Sequence, residues 1–200
     1  MTSGQLTYKS TPSKVSAALV GIAQQTESGK LKDFRPPGDE VGFVPGRCIL
    51  LTRAARLWVY TTQELGLDRS KMTQEQQAQY DALPSPAAMR IRLIQILSQP
   101  DADLCEGRDA DCALKRVARR KKAGREAEAW AVRTGGPDPV RLFGVFLAPS
   151  ILLLTHGHLR EDIDWDKETT RIRRHMGDLK IQDHDLFYSP EIEHYFPRTP

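Results

Sequence analysis

Four basic residues bracket the longest apolar stretch of the chain. Arg141 opens VRLFGVFLAPSILLLTHGHLR, His158 and Arg160 close it, and Arg133 ends the run just before it. Guanidinium groups grip phosphate through paired N–H donors. Imidazole trades a proton near neutral pH. Together they suit proton transfer and charge stabilisation at a phosphodiester, although Arg133 and Arg141 also read as ordinary ion-paired strand ends. His156 and His158 form an HxH pair whose side chains, on a strand, point to one face. A metal would need at least one more ligand with suitable geometry. A buried or hydrogen-bonded histidine is therefore the expectation, with no metal and no cofactor.

A second basic feature is sharper in charge and vaguer in chemistry. In ALKRVARRKKAGR, seven of the eleven residues from Lys115 to Arg125 are basic: Lys115, Arg116, Arg119, Arg120, Lys121, Lys122 and Arg125. Three readings stay open. The run is a solvated helix or loop face, a footing on nucleic-acid phosphates without sequence readout, or a site for an acidic protein segment.

Bulk properties frame these candidates. With 200 residues, 40% hydrophobic and 28% charged, the chain can bury one real core with extensions. A net charge of +3 demands no nucleic-acid partner by itself. The apolar run cannot serve as a bilayer-spanning helix, because Arg141 opens it and Ala148-Pro149-Ser150 breaks it. Near the N-terminus, ALVGIA is too short for a signal-peptide core. No membrane partner and a cytoplasmic location are expected. Cys48, Cys105 and Cys112 show no zinc spacing, and their odd number suits free, reduced thiols.

The elements that must hold the candidates follow from periodicity. Ser13 caps a helix with Val15, Leu19, Ile22 and Ala23 on one face, which Gly29 ends. A Pro/Gly-rich linker spans 33–46. RCILLT reads as a strand. AARLWVYTTQEL reads as a helix with Ala54, Leu57, Trp58, Thr61 and Leu65 on one face. AAMRIRLIQIL reads as another, with Met89, Leu93, Ile94, Ile96 and Leu97 inward. Three strands follow, Glu128 to Arg133, Val140 to Leu147 and Ile151 to His156, as an antiparallel meander. A closing helix starts at Asp164 or Asp166, carries Arg171, Arg173 and Arg174 late, and ends at Gly177. The last segment, 181–200, reads as an extended tail.

This order, together with WAVR, VRLFGVF and ILLLTHGHLR between Trp130 and Arg160, resembles the RelE/ParE toxin superfamily, most closely its HigB-like branch. The resemblance implies an α+β fold in which helices pack on a small antiparallel sheet, with an extension over 1–46, a RelE-like domain over 47–180 and a tail over 181–200. It implies a toxin of a toxin-antitoxin system, a metal-independent endoribonuclease that cuts mRNA, in association with the ribosome, by 2′-hydroxyl attack. Arg141 and Arg133 match the family's phosphate-binding arginines, and His158 and Arg160 fall where its basic catalytic residues lie. mRNA or the ribosome and a cognate antitoxin are the implied partners. Relatives of the ParE type inhibit DNA gyrase without nuclease residues. A non-catalytic binding protein, or a small phage or plasmid regulatory factor, is therefore the alternative.

Overall fold

The computed structural model describes residues 25–35, 46–99, 104–105, 112–122, 125–135, 139–182 and 186–197. Its strands are β1 (Leu31–Asp33), β2 (Cys48–Thr52), β3 (Leu104–Cys105), β4 (Leu114–Lys122), β5 (Arg125–Arg133), β6 (Val140–Ala148) and β7 (Ile151–Leu159). Among the described residues, 25–27 are helical, and the further α-helices are α1 (Arg53–Arg56), α2 (Gln74–Asp81), α3 (Ala87–Ser98) and α4 (Trp165–Asp178). The strands form one sheet in the order β1-β2-β7-β6-β5-β4-β3. The fold is mixed α+β, with a larger sheet than the expected small antiparallel one. β2 lies parallel to β7, and β3 parallel to β4. The parallel β2–β7 pair is possible because the helices between them carry the chain back across the sheet.

The basic run is neither helix nor loop. From Lys115 to Lys122 it lies in β4, which pairs antiparallel with β5, and the register sets Arg119 opposite Glu128, Lys121 opposite Glu126 and Lys122 opposite Arg125, the first residue of β5. The side chains of Arg119, Arg120, Lys121, Lys122 and Arg125 lie outside the described residues.

Each sheet face is covered. On one, Met89, Leu93, Ile96 and Leu97 of α3 pack with Trp130, Leu142, Phe146 and Leu154. On the other, Ile172, Met176 and Leu179 of α4 pack with Ala131, Phe143, Val145 and Leu153. The helix expected from Ala54 onward stops at Arg56 and gives way to turns, although Trp58 still packs against the core. Arg47 donates from Nη1 to the carbonyls of Ile96 and Gln99, satisfying the C-terminal end of α3.

The flanking segments are less separate than expected. Leu31 and Phe34 are buried, and β1 pairs with β2, so part of the 1–46 extension belongs to the sheet. The helix expected over 15–23 lies outside the described residues. Gly29 has the positive φ of 74° expected of a helix end. The tail is anchored by Tyr195 and Phe196, both buried. Tyr195 donates from its hydroxyl to Glu128 and accepts from the Ser189 amide. Burial, and then the Glu128 carboxylate, push its phenol well above the usual range. α4 runs past Gly177, and Lys180, with φ 58°, makes the left-handed turn instead. The Lys180 amide donates to Gly177 and that of Ile181 to Met176, which closes the helix.

The cysteines also differ from expectation. Cys105 and Cys112, brought to a Cα–Cα distance of 6.0 Å beside the short β3–β4 pairing, form a disulfide. Cys48 is free and donates to Asp33. Burial, then the Asp33 charge, pushes its thiol up to about 12. At pH 8 the native protein should alkylate at Cys48 roughly a thousandfold more slowly than the unfolded chain. Peptide mass spectrometry after timed iodoacetamide exposure checks this, and equal rates would contradict it.

One irregularity shapes everything at the end of β7. Phe143 pairs with His156 but Gly144 pairs with Leu154, so Thr155 is an extra residue, a β-bulge. Leu154 faces α3, and without the bulge His156 would face the same way. With it, His156 stacks on Phe143, on the α4 side. The bulge's polar groups are satisfied from both sides of the chain. Thr52 caps α1 by accepting from the Ala55 amide and donates its hydroxyl to the Thr155 carbonyl. The Thr155 hydroxyl lies 3.1 Å from the Phe143 carbonyl. Gly144 permits the close approach, since a Cβ there would meet the Leu153 carbonyl oxygen at 2.1 Å. Gly144→Ala should therefore destabilise the fold by about 1–3 kcal/mol, read by chemical denaturation; unchanged stability would show that the strand absorbs the methyl without moving the bulge.

Candidate functional site

The cross-strand register gathers three of the expected residues into one row. Arg133 stands opposite Arg141 on β5 and β6, and Arg141 opposite His158 on β6 and β7. One step along the same face run Ala131, Phe143 and His156. Arg160 begins the turn after β7, exposed, with its amide held by the Pro139 carbonyl. Arg133 and His158 are half-buried. Arg141 is buried, and its Nη1 donates to the carbonyls of Thr134 and Val140. It therefore ties down the β5–β6 connection from beneath.

The basic run contributes less than its charge suggests. Lys115 is half-buried near the start of β4. Arg116 is buried, donates to the Ser189 carbonyl, lies 3.4 Å from Glu128, and stacks over Trp130 and Tyr195. Its expected role on nucleic acid is thus corrected, because the strand period turns it into the core beneath the tail.

α4 lowers polar groups onto the row. Glu168, Arg171, Ile172, His175, Met176 and Leu179 recur at helical spacing, so one stripe meets the sheet with its polar end over His156 and His158. Glu168 is 1% exposed. Its Oε2 lies 2.6 Å from His156 Nε2 and 3.9 Å from His158 Nε2. Arg171 donates to its Oε1, and the same Nη1 lies 3.2 Å from His158 Nε2. An arginine only donates, so His158 Nε2 presents a lone pair. His156 Nδ1 lies 2.9 Å from the Thr155 hydroxyl, and the ring is sandwiched between Phe143 and His175.

The Thr155 hydroxyl has one proton. Given to the Phe143 carbonyl, it leaves Thr155 accepting from Nδ1–H, and the Nε2–Glu168 contact then requires a further cation, a proton or a metal ion, between two lone pairs. His156, His158 and Glu168 have potential ligand atoms all within 4.8 Å of one another. The third ligand that the HxH pair lacked comes from another element. Glu168, Arg171 and His175 were missed because their signal is the stripe of α4, which acquires chemical meaning only against the bulged strand.

Burial works to raise the Glu168 carboxyl, but the His156 hydrogen bond and the charges of His156, His158 and Arg171 outweigh it and hold the group below the ordinary range. His158 is lowered by burial, with His156 and Arg171 adding to it against the pull of Glu168. His175 is lowered by burial and then by His156. A histidine depressed in the folded state stays neutral while its unfolded counterpart takes a proton, so stability is lost as pH falls through the unfolded value near 6.5. The Glu168 contribution persists there and is lost only at lower pH. Thermal melts in chelator-treated buffer should show a falling Tm from pH 7.5 to 5.5, flattened in His175→Gln, and a flat wild-type profile would refute the assignment.

Among the described residues no helix is long and apolar enough to cross a membrane. Comparison with family models, with curated proteins and with solved structures finds no match.

Proposed function

We propose that the chain is a toxin-type endoribonuclease, similar to the RelE/ParE superfamily, that cleaves RNA by 2′-hydroxyl attack. The observation that carries this reading is the row Arg133–Arg141–His158 across three adjacent strands, with Arg160 at its end.

In this reading a phosphodiester docks at the half-buried edge formed by Arg133, His158, Arg160 and Arg171. The anion draws Arg171 from His158 Nε2. That lone pair takes the 2′ proton, which the lowered pKa favours by keeping His158 neutral at working pH. The 2′ oxygen attacks phosphorus, the arginines balance the added negative charge, and the 5′ oxygen leaves as a hydroxyl after taking a proton from solvent. Arg141 acts as a positioning residue, holding the β5–β6 connection under the row. Glu168 keeps Arg171 beside the histidine. mRNA on the ribosome is the proposed substrate and an antitoxin the proposed partner.

Purified full-length chain, incubated with ribosomes and a defined message, should cut it and leave 2′,3′-cyclic phosphate ends. His158→Ala should lower the rate by about 10²–10⁴-fold, and a 2′-deoxy nucleotide at the cut should block it. Arg133→Ala and Arg160→Ala should weaken RNA binding. Absence of cleavage by the wild type overturns the reading, and full activity in His158→Ala overturns the site.

A further inference from the structure

We propose that His156 Nε2, His158 Nε2 and Glu168 Oε2 form a site for one divalent transition-metal ion of the zinc class. Two imidazoles and a carboxylate are a donor set that zinc accepts, leaving a fourth position open. Three observations point to a ligand. The ligand atoms already lie within 4.8 Å of one another. The His158 Nε2 lone pair is aimed into the cluster, where Arg171 now donates to it. The outer groups are those a metal site requires, with Thr155 fixing the His156 ring through Nδ1 and Arg171 holding the other oxygen of Glu168.

Ligand atoms on a tetrahedral zinc stand about 3.3 Å apart. His156 and Glu168, at 2.6 Å, have to part by roughly 0.7 Å, His158 has to close on Glu168 from 3.9 Å, and the two histidine nitrogens, up to 4.8 Å apart, have to approach by as much as about 1.5 Å. Arg171 has to give up the contact of its Nη1 with His158, and its side chain is 34% exposed. Without a metal, the guanidinium serves Glu168 Oε1 and His158 Nε2, and a proton bridges His156 Nε2 and Glu168 Oε2. Entry is from the His158 side, since His158 is the most exposed of the three ligands.

This inference does not rest on the nuclease reading, and binding is measured without RNA. A metal on His158 Nε2 would remove the base used there, so a chain that binds zinc and cleaves RNA should be inhibited by zinc and restored by chelator.

Full-length chain, stripped with chelator and dialysed, is titrated calorimetrically with Zn²⁺ alone, and with Co²⁺ for the visible absorption of a tetrahedral centre. One ion per chain is expected. His158→Ala, at a partly exposed position that should leave the fold intact, should lose more than the roughly 10–100-fold in affinity that removal of an outer partner costs. His194→Ala, whose ring bonds Ser189 and Glu191 in the tail, should bind as the wild type does. No binding by the wild type overturns the proposal, as does binding that His158→Ala leaves unchanged.

Discussion

A carboxylate taken out of water has to be matched by donors and cations, and Glu168 sets that demand where α4 meets the sheet. The demand is met by His156 and Arg171. Because these groups come from β7 and from α4 itself, satisfying the carboxylate also fixes how the helix lies on the strands. Ile172, Met176 and Leu179 then bury the rest of the stripe against Phe143, Val145 and Leu153. The apolar contacts provide most of the burial, and the carboxylate selects one register among those that burial alone would accept.

The opposite face repeats the arrangement with other partners. Glu128 is buried against Tyr195, Trp130 and Arg116, and it fastens the tail over the α3 side of the sheet. Two carboxylates, one per face, thus each pin an element from the C-terminal part of the chain. They differ in what reaches solvent. On the Glu128 side the donors are enclosed. On the Glu168 side His158 and Arg171 stay partly open, with Arg133 and Arg160 nearby. A buried charge bordered by accessible basic groups is where a ligand can alter the balance, which is why both the phosphate reading and the metal reading converge there.

The bulge at Thr155 makes this possible. It turns two histidines from the α3 side to the α4 side, and its own polar groups are taken up by Thr52 and by the Phe143 carbonyl. Gly157 adds a second constraint, because a Cβ there would meet the Trp58 ring at 2.7 Å and the Leu142 side chain at 2.8 Å. The sequence HGH therefore combines two aimed side chains with the one residue small enough to let the other face close behind them.

By itself the amino-acid sequence determined the strands β2 and β5 to β7, the apolar face of α3, the extent of α4 to within a turn, and the meeting of Arg133 and Arg141. These depend on local periodicity and on the short connections of a meander, which bring strand ends together whatever surrounds them. Tertiary structure alone decided the rest. The basic run became a strand by pairing with β5, and Arg116 was turned inward by that pairing. Cys105 found Cys112 across a gap that spacing does not reveal. Glu168 joined the HxH pair because a bulge of one residue reversed the facing of β7, and a one-residue shift in register leaves no mark on composition or periodicity. What is periodic can be read along the chain, whereas what depends on the partner across a ladder or an interface has to be seen folded.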